Sequence, residues 1–151
     1  MRKLMYIFIL VFFTVGISAQ VYAAGTTDQA HALVKKAIAF YKANGKDKTF
    51  AEINNPKGQF VKSDLYVTVY DMDGKCLAHG ANKAMVGKDM IGMRDPDGVF
   101  MIKERITIAK SKGHGWQDYK FTNPTTKKIE PKTAYVEKVD NYVFTCGAYK
   151  K

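Results

Sequence analysis

Few residues beyond the first two dozen can do covalent chemistry. The serines there are Ser63 and Ser111, neither within Gly-x-Ser-x-Gly, which speaks against a serine hydrolase. His31, His79 and His114 fall in no metal-ligand spacing. Asp71-Met72-Asp73-Gly74 opens like an EF-hand loop, but its glycine arrives two positions early and no glutamate follows at the needed distance. Asp95-Pro96-Asp97-Gly98 fails in the same way. Cys76 and Cys146 lack a CxxC partner, which argues against a redox enzyme. Asn123-Pro124-Thr125 carries proline inside the glycosylation acceptor. The pattern demands no catalysis, no metal and no cofactor, and an enzyme would have to rest on His79 with a nearby carboxylate.

The elements that would position a recognition site are clearer. From Leu65 the apolar period is two, with β-branched and aromatic residues through Tyr70. Asp73-Gly74 is the best hairpin signal in the chain, and Cys76 to Gly80 returns. With Asp71 opposite Cys76, one face carries Tyr66, Thr68, Tyr70, Leu77 and His79, aromatic and polar, which suits a pocket. The other carries Leu65, Val67, Val69, Cys76 and Ala78, which suits packing on a helix. That helix is predicted from a cap at Thr27 or Asp28, with Leu33, Val34, Ala37, Ile38 and Tyr41 at helical spacing and a stop at Asn44-Gly45. At about 1.5 Å per residue it is roughly 25 Å long, enough to cross a sheet. Asp47 to Glu52 adds a short helical turn.

A second helix, capped by Asp95 or Asp97, carries Val99, Ile102, Ile106 and Ala109. Three strands follow, Trp116 to Phe121, Lys132 to Val139 and Tyr142 to Tyr149. The expected fold is α+β: a PAS-like or profilin-like five-stranded antiparallel sheet, the long N-terminal helix on one face and the crossover helix and loops on the other.

Arg2-Lys3, the apolar run Leu4 to Val15 and Val21-Tyr22-Ala23 read as a signal peptide cleaved after Ala23. Residues 24-151 then form a single soluble domain outside the cytoplasm, periplasmic in a Gram-negative source. The 151-residue chain has 24 basic and 14 acidic side chains, net +10. Removing Arg2 and Lys3 leaves 22 − 14 = +8. The lysines are scattered, not gathered into a stripe with aromatics between them, so no nucleic-acid partner is expected. Oxidising surroundings make Cys76 and Cys146 candidates for a disulfide, the alternative being two separate small core residues.

The run Leu65 to Asn82 resembles the first hairpin of single Cache domains of the second type, which are extracytoplasmic sensing modules. The resemblance continues through Val86-Gly87-Lys88, Asp95 to Gly98, Gly113 to Tyr119, Asn123-Pro124, Pro131-Lys132, Ala134-Tyr135-Val136 and Cys146 to Tyr149. It implies a pocket for a small ligand, often an organic acid. Similar domains use a basic residue entering the strand that Lys132 opens, so Lys132 is the expected carboxylate anchor. Tyr135, Trp116 and Tyr119 are candidate pocket walls. Tyr135 stands three residues from Lys132 and Trp116 three from Tyr119, so each pair conflicts in strand parity unless a bulge intervenes. His79, beside Tyr66, can hydrogen-bond a ligand and respond to pH near its ordinary ~6.5, or serve as a structural histidine. Arg94 can close over a carboxylate, and Met90 and Met93 can cap the pocket.

Receptors of this family continue into a membrane helix and a signalling domain, whereas this sequence stops at Lys150-Lys151. The expectation is a free-standing exported protein that captures a small organic acid and presents it to a membrane sensor or transporter. The alternative is an interaction module with a vestigial pocket, dimerising or docking through its N-terminal helix.

Overall fold

The structure, a computed structural model, describes residues 24–150. The expected signal peptide lies outside the described residues. Helix α1 (Thr27–Ile53) is capped by Thr26, one residue before the earlier of its two expected caps, Thr27 and Asp28. Thr26 closes a capping box, its hydroxyl accepting the Gln29 amide at 3.2 Å while its own amide donates to the Gln29 side chain at 3.1 Å. Ala30, Val34, Ala37 and Ile38 are buried on its inner stripe. The expected stop is a kink: Gly45 leaves helical geometry with φ 78° and the helix resumes to Ile53. The Thr49 hydroxyl donates back to the Gly45 carbonyl at 2.7 Å, stitching the two segments together.

The sheet holds β1 (Val61–Lys62), β2 (Leu65–Asp71), β3 (Cys76–His79), β4 (His114–Thr122), β5 (Ile129–Val139) and β6 (Tyr142–Tyr149). Their spatial order is β1-β2-β6-β5-β4, with β3 also on β2, and all pairings are antiparallel. The two-residue β1 is the one strand the sequence reading did not anticipate. Leu65, Val67, Val69 and Phe144 face α1 in one core layer. Tyr70, Val136 and Val143 face the second layer, which holds α2 (Met101–Ser111), Met90 and Tyr119.

The first hairpin departs from the expected register. Tyr70, not Asp71, lies opposite Cys76, and a bulge restores Val69 to Ala78 and Thr68 to His79. One extra residue inverts every side chain beyond it. Cys76 therefore joins the layer of Tyr70, and Leu77 does not join the pocket face.

Helix α2 also starts later than expected, after Phe100, without a side-chain cap. The Asp95 carboxylate is engaged elsewhere, accepting the amides of Asp97, Val99 and Lys120, each at 2.9 Å. It folds its own loop and ties it to β4. Among the described residues no helix is long and apolar enough to cross a membrane.

Candidate functional site

A small cavity lies between the sheet and α2. Its floor is Tyr66 and Thr68 on β2 and Thr145 and Gly147 on β6. Lys132 and Tyr119 close one side, His79 another, and Arg105 with Met90, Met93, Met101 and Ile102 form the roof. The enclosed space is about 20 Å³, above the ~10–15 Å³ that seats one water. Even a two- or three-carbon acid therefore needs the flexible methionines to adjust.

Lys132 reaches this space because of strand register. It pairs with Tyr119 across β4 and with Tyr149 across β6, and its stem runs over Gly147, where a β-carbon would stand 2.6 Å from the Lys132 Cε. The side chain is 1% exposed. Its ammonium rests on two ring faces, 4.0 Å from the Tyr66 centroid and 4.2 Å from that of Tyr149. Burial pushes it down to about 7; the nearby Cys146 thiol and Asp64 carboxylate act against this and the Arg105 charge acts with it.

Arg105 is buried in the middle of α2. Its Nε donates to the Gln117 side chain at 2.9 Å, an Nη1 proton reaches the Tyr70 hydroxyl at 3.4 Å, and its plane lies 4.8 Å from the Tyr119 centroid. Gln117 is itself held by the Met101 carbonyl and Glu104. The ion pairs among the described residues involve other lysines, so neither cavity cation has a carboxylate within 4.0 Å.

His79 stacks on Tyr66, centroids 5.2 Å apart. Its Nδ1 accepts the amides of Ala81 at 3.2 Å and Asn82 at 3.0 Å, which puts the ring proton on Nε2. Burial, then the charges of Lys132 and Arg105, push it down to about 4. That lies below the ordinary ~6.5 on which the expected pH response rested and favours the neutral ring, a donor through Nε2, at physiological pH.

Lys132, Tyr119, Tyr66 and His79 thus meet at the cavity, with Met90 and Met93 above them. Tyr135, Trp116 and Arg94 do not. No bulge reconciles their parity: Tyr135 pairs with Trp116, and both occupy the opposite sheet face, rings 5.2 Å apart, with Trp116 45% exposed. Tyr135 packs edge-on to His31 and donates to Glu137 at 2.9 Å. Arg94 is exposed, its guanidinium 3.8 Å over the Phe100 ring.

Cys76 and Cys146 are both buried free thiols, not a disulfide. They lie on β3 and β6, on either side of β2 and opposite different residues of it. Two strand spacings, ~9–10 Å, exceed what a disulfide spans. Burial pushes their thiols up to about 11 and about 12. Among the described residues no group of three or more His, Cys, Asp or Glu can hold a metal.

The sequence reading missed Arg105 and Thr145. Arg105 sits three residues after Ile102 and four after Met101, on the apolar stripe, and a lone arginine there is the signal that could have found it. Thr145 is a β6 residue directly opposite Thr68, and its parity with Val143 and Gly147 places it on the pocket face.

Among curated proteins the chain is similar to the sensor histidine kinase MctS of Rhizobium johnstonii, 34% identical over 84 residues, 56% of this chain and 18% of that one. It is also similar to the methyl-accepting chemotaxis protein McpP of Pseudomonas putida, 27% identical over 88 residues, 57% of this chain and 16% of that one. The match spans less than a fifth of either relative. A methyl-accepting chemotaxis protein from Vibrio parahaemolyticus shares the fold with a TM-score of 0.69 at 24% identity, covering 81% of this chain and 86% of that one. A Cache chemosensory domain described for carboxylic acid recognition does so with a TM-score of 0.65 at 22% identity, covering 82% and 88%. The model of the family named Single Cache domain 2 matches residues 15–150, which takes in both helices, every strand and the whole wall of the cavity: the chain belongs to that family.

Proposed function

We propose that this chain is an exported, non-catalytic binding domain, its leader spanning residues 1–23, that captures a small organic acid between its sheet and α2 and presents it to a membrane sensor or transporter. The observation that carries the reading is the pair of buried cations, Lys132 and Arg105, facing one cavity without a carboxylate. Burying an unpaired charge costs several kcal/mol, and an apolar residue of similar volume would be more stable. A vestigial pocket has no reason to keep two. An anionic ligand supplies the missing charge, through charge-assisted contacts that Arg105 can make bidentate. The sensor proteins among its relatives, and the Cache domain described for carboxylic acid recognition, support the same reading by likeness.

A thermal-shift titration with acetate, propionate and pyruvate tests it. A ligand at 100 times its Kd adds about 2.7 kcal/mol, which raises Tm by roughly ten degrees in a domain of this size. Lys132→Met is expected to abolish the shift while leaving the protein folded. A flat screen on protein shown by native mass spectrometry to carry no small molecule overturns the reading.

A further inference from the structure

The cavity holds a polar group that a carboxylate alone does not use. The Thr145 hydroxyl oxygen is fully buried and has no hydrogen-bond partner among the described residues. Its side chain is 98% buried, on the central strand, and lines the cavity floor. An unsatisfied buried hydroxyl costs about 1–3 kcal/mol, so its place here needs an account.

Donor counting gives one, on top of the carboxylate reading above. A carboxylate offers about four acceptor positions. The Lys132 ammonium carries three N–H bonds, and no hydrogen bond contributes to its shifted titration. Arg105 carries five N–H bonds, of which one goes to Gln117, one to Tyr70 and one to the Tyr119 hydroxyl. About five donors therefore remain for those four positions before Thr145 is counted. A hydroxyl beside such a surplus needs an acceptor that the carboxylate does not supply. The row in which it sits explains how it reaches one. Thr145 and Thr68 lie directly opposite each other, one row along the sheet from Tyr66 and Gly147, over which the Lys132 stem passes. A carboxylate held at Lys132 and Arg105 therefore presents its next carbon to the threonine row.

We propose that Thr145 is the specificity-determining residue of the pocket, its hydroxyl donating to an oxygen on the carbon next to the ligand carboxylate, so that the site prefers 2-oxo acids of two or three carbons to unsubstituted acids of the same length. The 2-oxo group suits a wall rich in donors, because it accepts and brings no proton of its own.

The test compares pyruvate with propionate by titration calorimetry at pH 6.5, in the full protein and in Thr145→Val, which removes the hydroxyl and keeps the shape. Pyruvate is expected to bind at least tenfold more tightly, and Thr145→Val to bring the ratio near one by weakening pyruvate and sparing propionate. Thr145→Ser, which keeps the hydroxyl, is expected to retain the preference and serves if the valine variant does not fold. A ratio near one in the unaltered protein overturns the proposal, as does a preference that survives Thr145→Val or an equal loss for both acids. Binding of neither acid overturns the carboxylate reading, and this proposal with it.

Discussion

Lys132 occupies its place because a single neighbour has no side chain. A β-carbon on Gly147 would stand 2.6 Å from the Lys132 Cε, 3.0 Å from its Cγ and 3.1 Å from the Ala134 β-carbon. Gly147→Ala displaces a flexible stem, not backbone, so the fold is expected to survive with a loss of about 1 kcal/mol, while carboxylate affinity falls at least tenfold. Parallel denaturant and calorimetric titrations check this; an unchanged Kd would mean that the ammonium does not touch the ligand. That Lys132 lines the cavity was legible in the sequence, through its place at the expected head of a strand in a recognisable family, although β5 begins three residues earlier, at Ile129. Arg105 was not. A helix read by its apolar spacing passes over a charge on the same stripe, and only the sheet packed against that stripe shows the charge to be buried. Trp116 and Tyr135 drew attention as large aromatics, yet aromatic character says nothing of which sheet face a residue takes.

Among the elements, the loop before α2 is held by Asp95. Its carboxylate accepts two amides of its own loop and the Lys120 amide on edge strand β4, and the same loop leads into Met101 in the cavity roof. The sequence marked Asp95 as a helix cap because aspartate before an apolar run usually is one. Folding gave the carboxylate three closer donors, one of them 25 residues away. Asp95→Ala is expected to cost roughly 2 kcal/mol in unfolding free energy and to speed hydrogen exchange in residues 93–101. Exchange unchanged in that segment would show that the loop is held by other contacts.

For the molecule as a whole, burial of His79 and Lys132 shapes the response to pH. The His79 ordinary value is 6.5 and its folded value about 4. Between them the unfolded chain binds the extra proton, so stability falls as pH drops from 6.5 to 4, by about 3 kcal/mol. Lys132 falls from 10.5 to about 7. Between those values the unfolded chain again holds more protons, so this group makes stability rise with pH above 7. A ligand carboxylate favours the charged lysine, so ligand stabilisation is expected to shrink above pH 7. Melting curves from pH 4 to 9, with and without propionate, check both limbs. Lys132→Met is expected to flatten the alkaline limb and, by removing one of the charges that depress His79, to make the acid limb shallower; identical alkaline slopes in the two proteins would refute the assignment.

Periodicity and turn chemistry alone determined most of the framework: the helix, the strands from Leu65 onward and their antiparallel order, because alternation of apolar residues and an Asp-Gly turn are local properties. Strand parity also determined that Tyr66 and Thr68 share a face. The tertiary structure decided the rest. A one-residue bulge near Tyr70 chose which face Cys76 takes, and the interposed β2 kept it from Cys146. The packing of α2 on the sheet decided that an arginine and a lysine 27 residues apart in the chain would share one enclosed space. Burial and charge proximity depend on contacts between distant segments, and no window of sequence contains them.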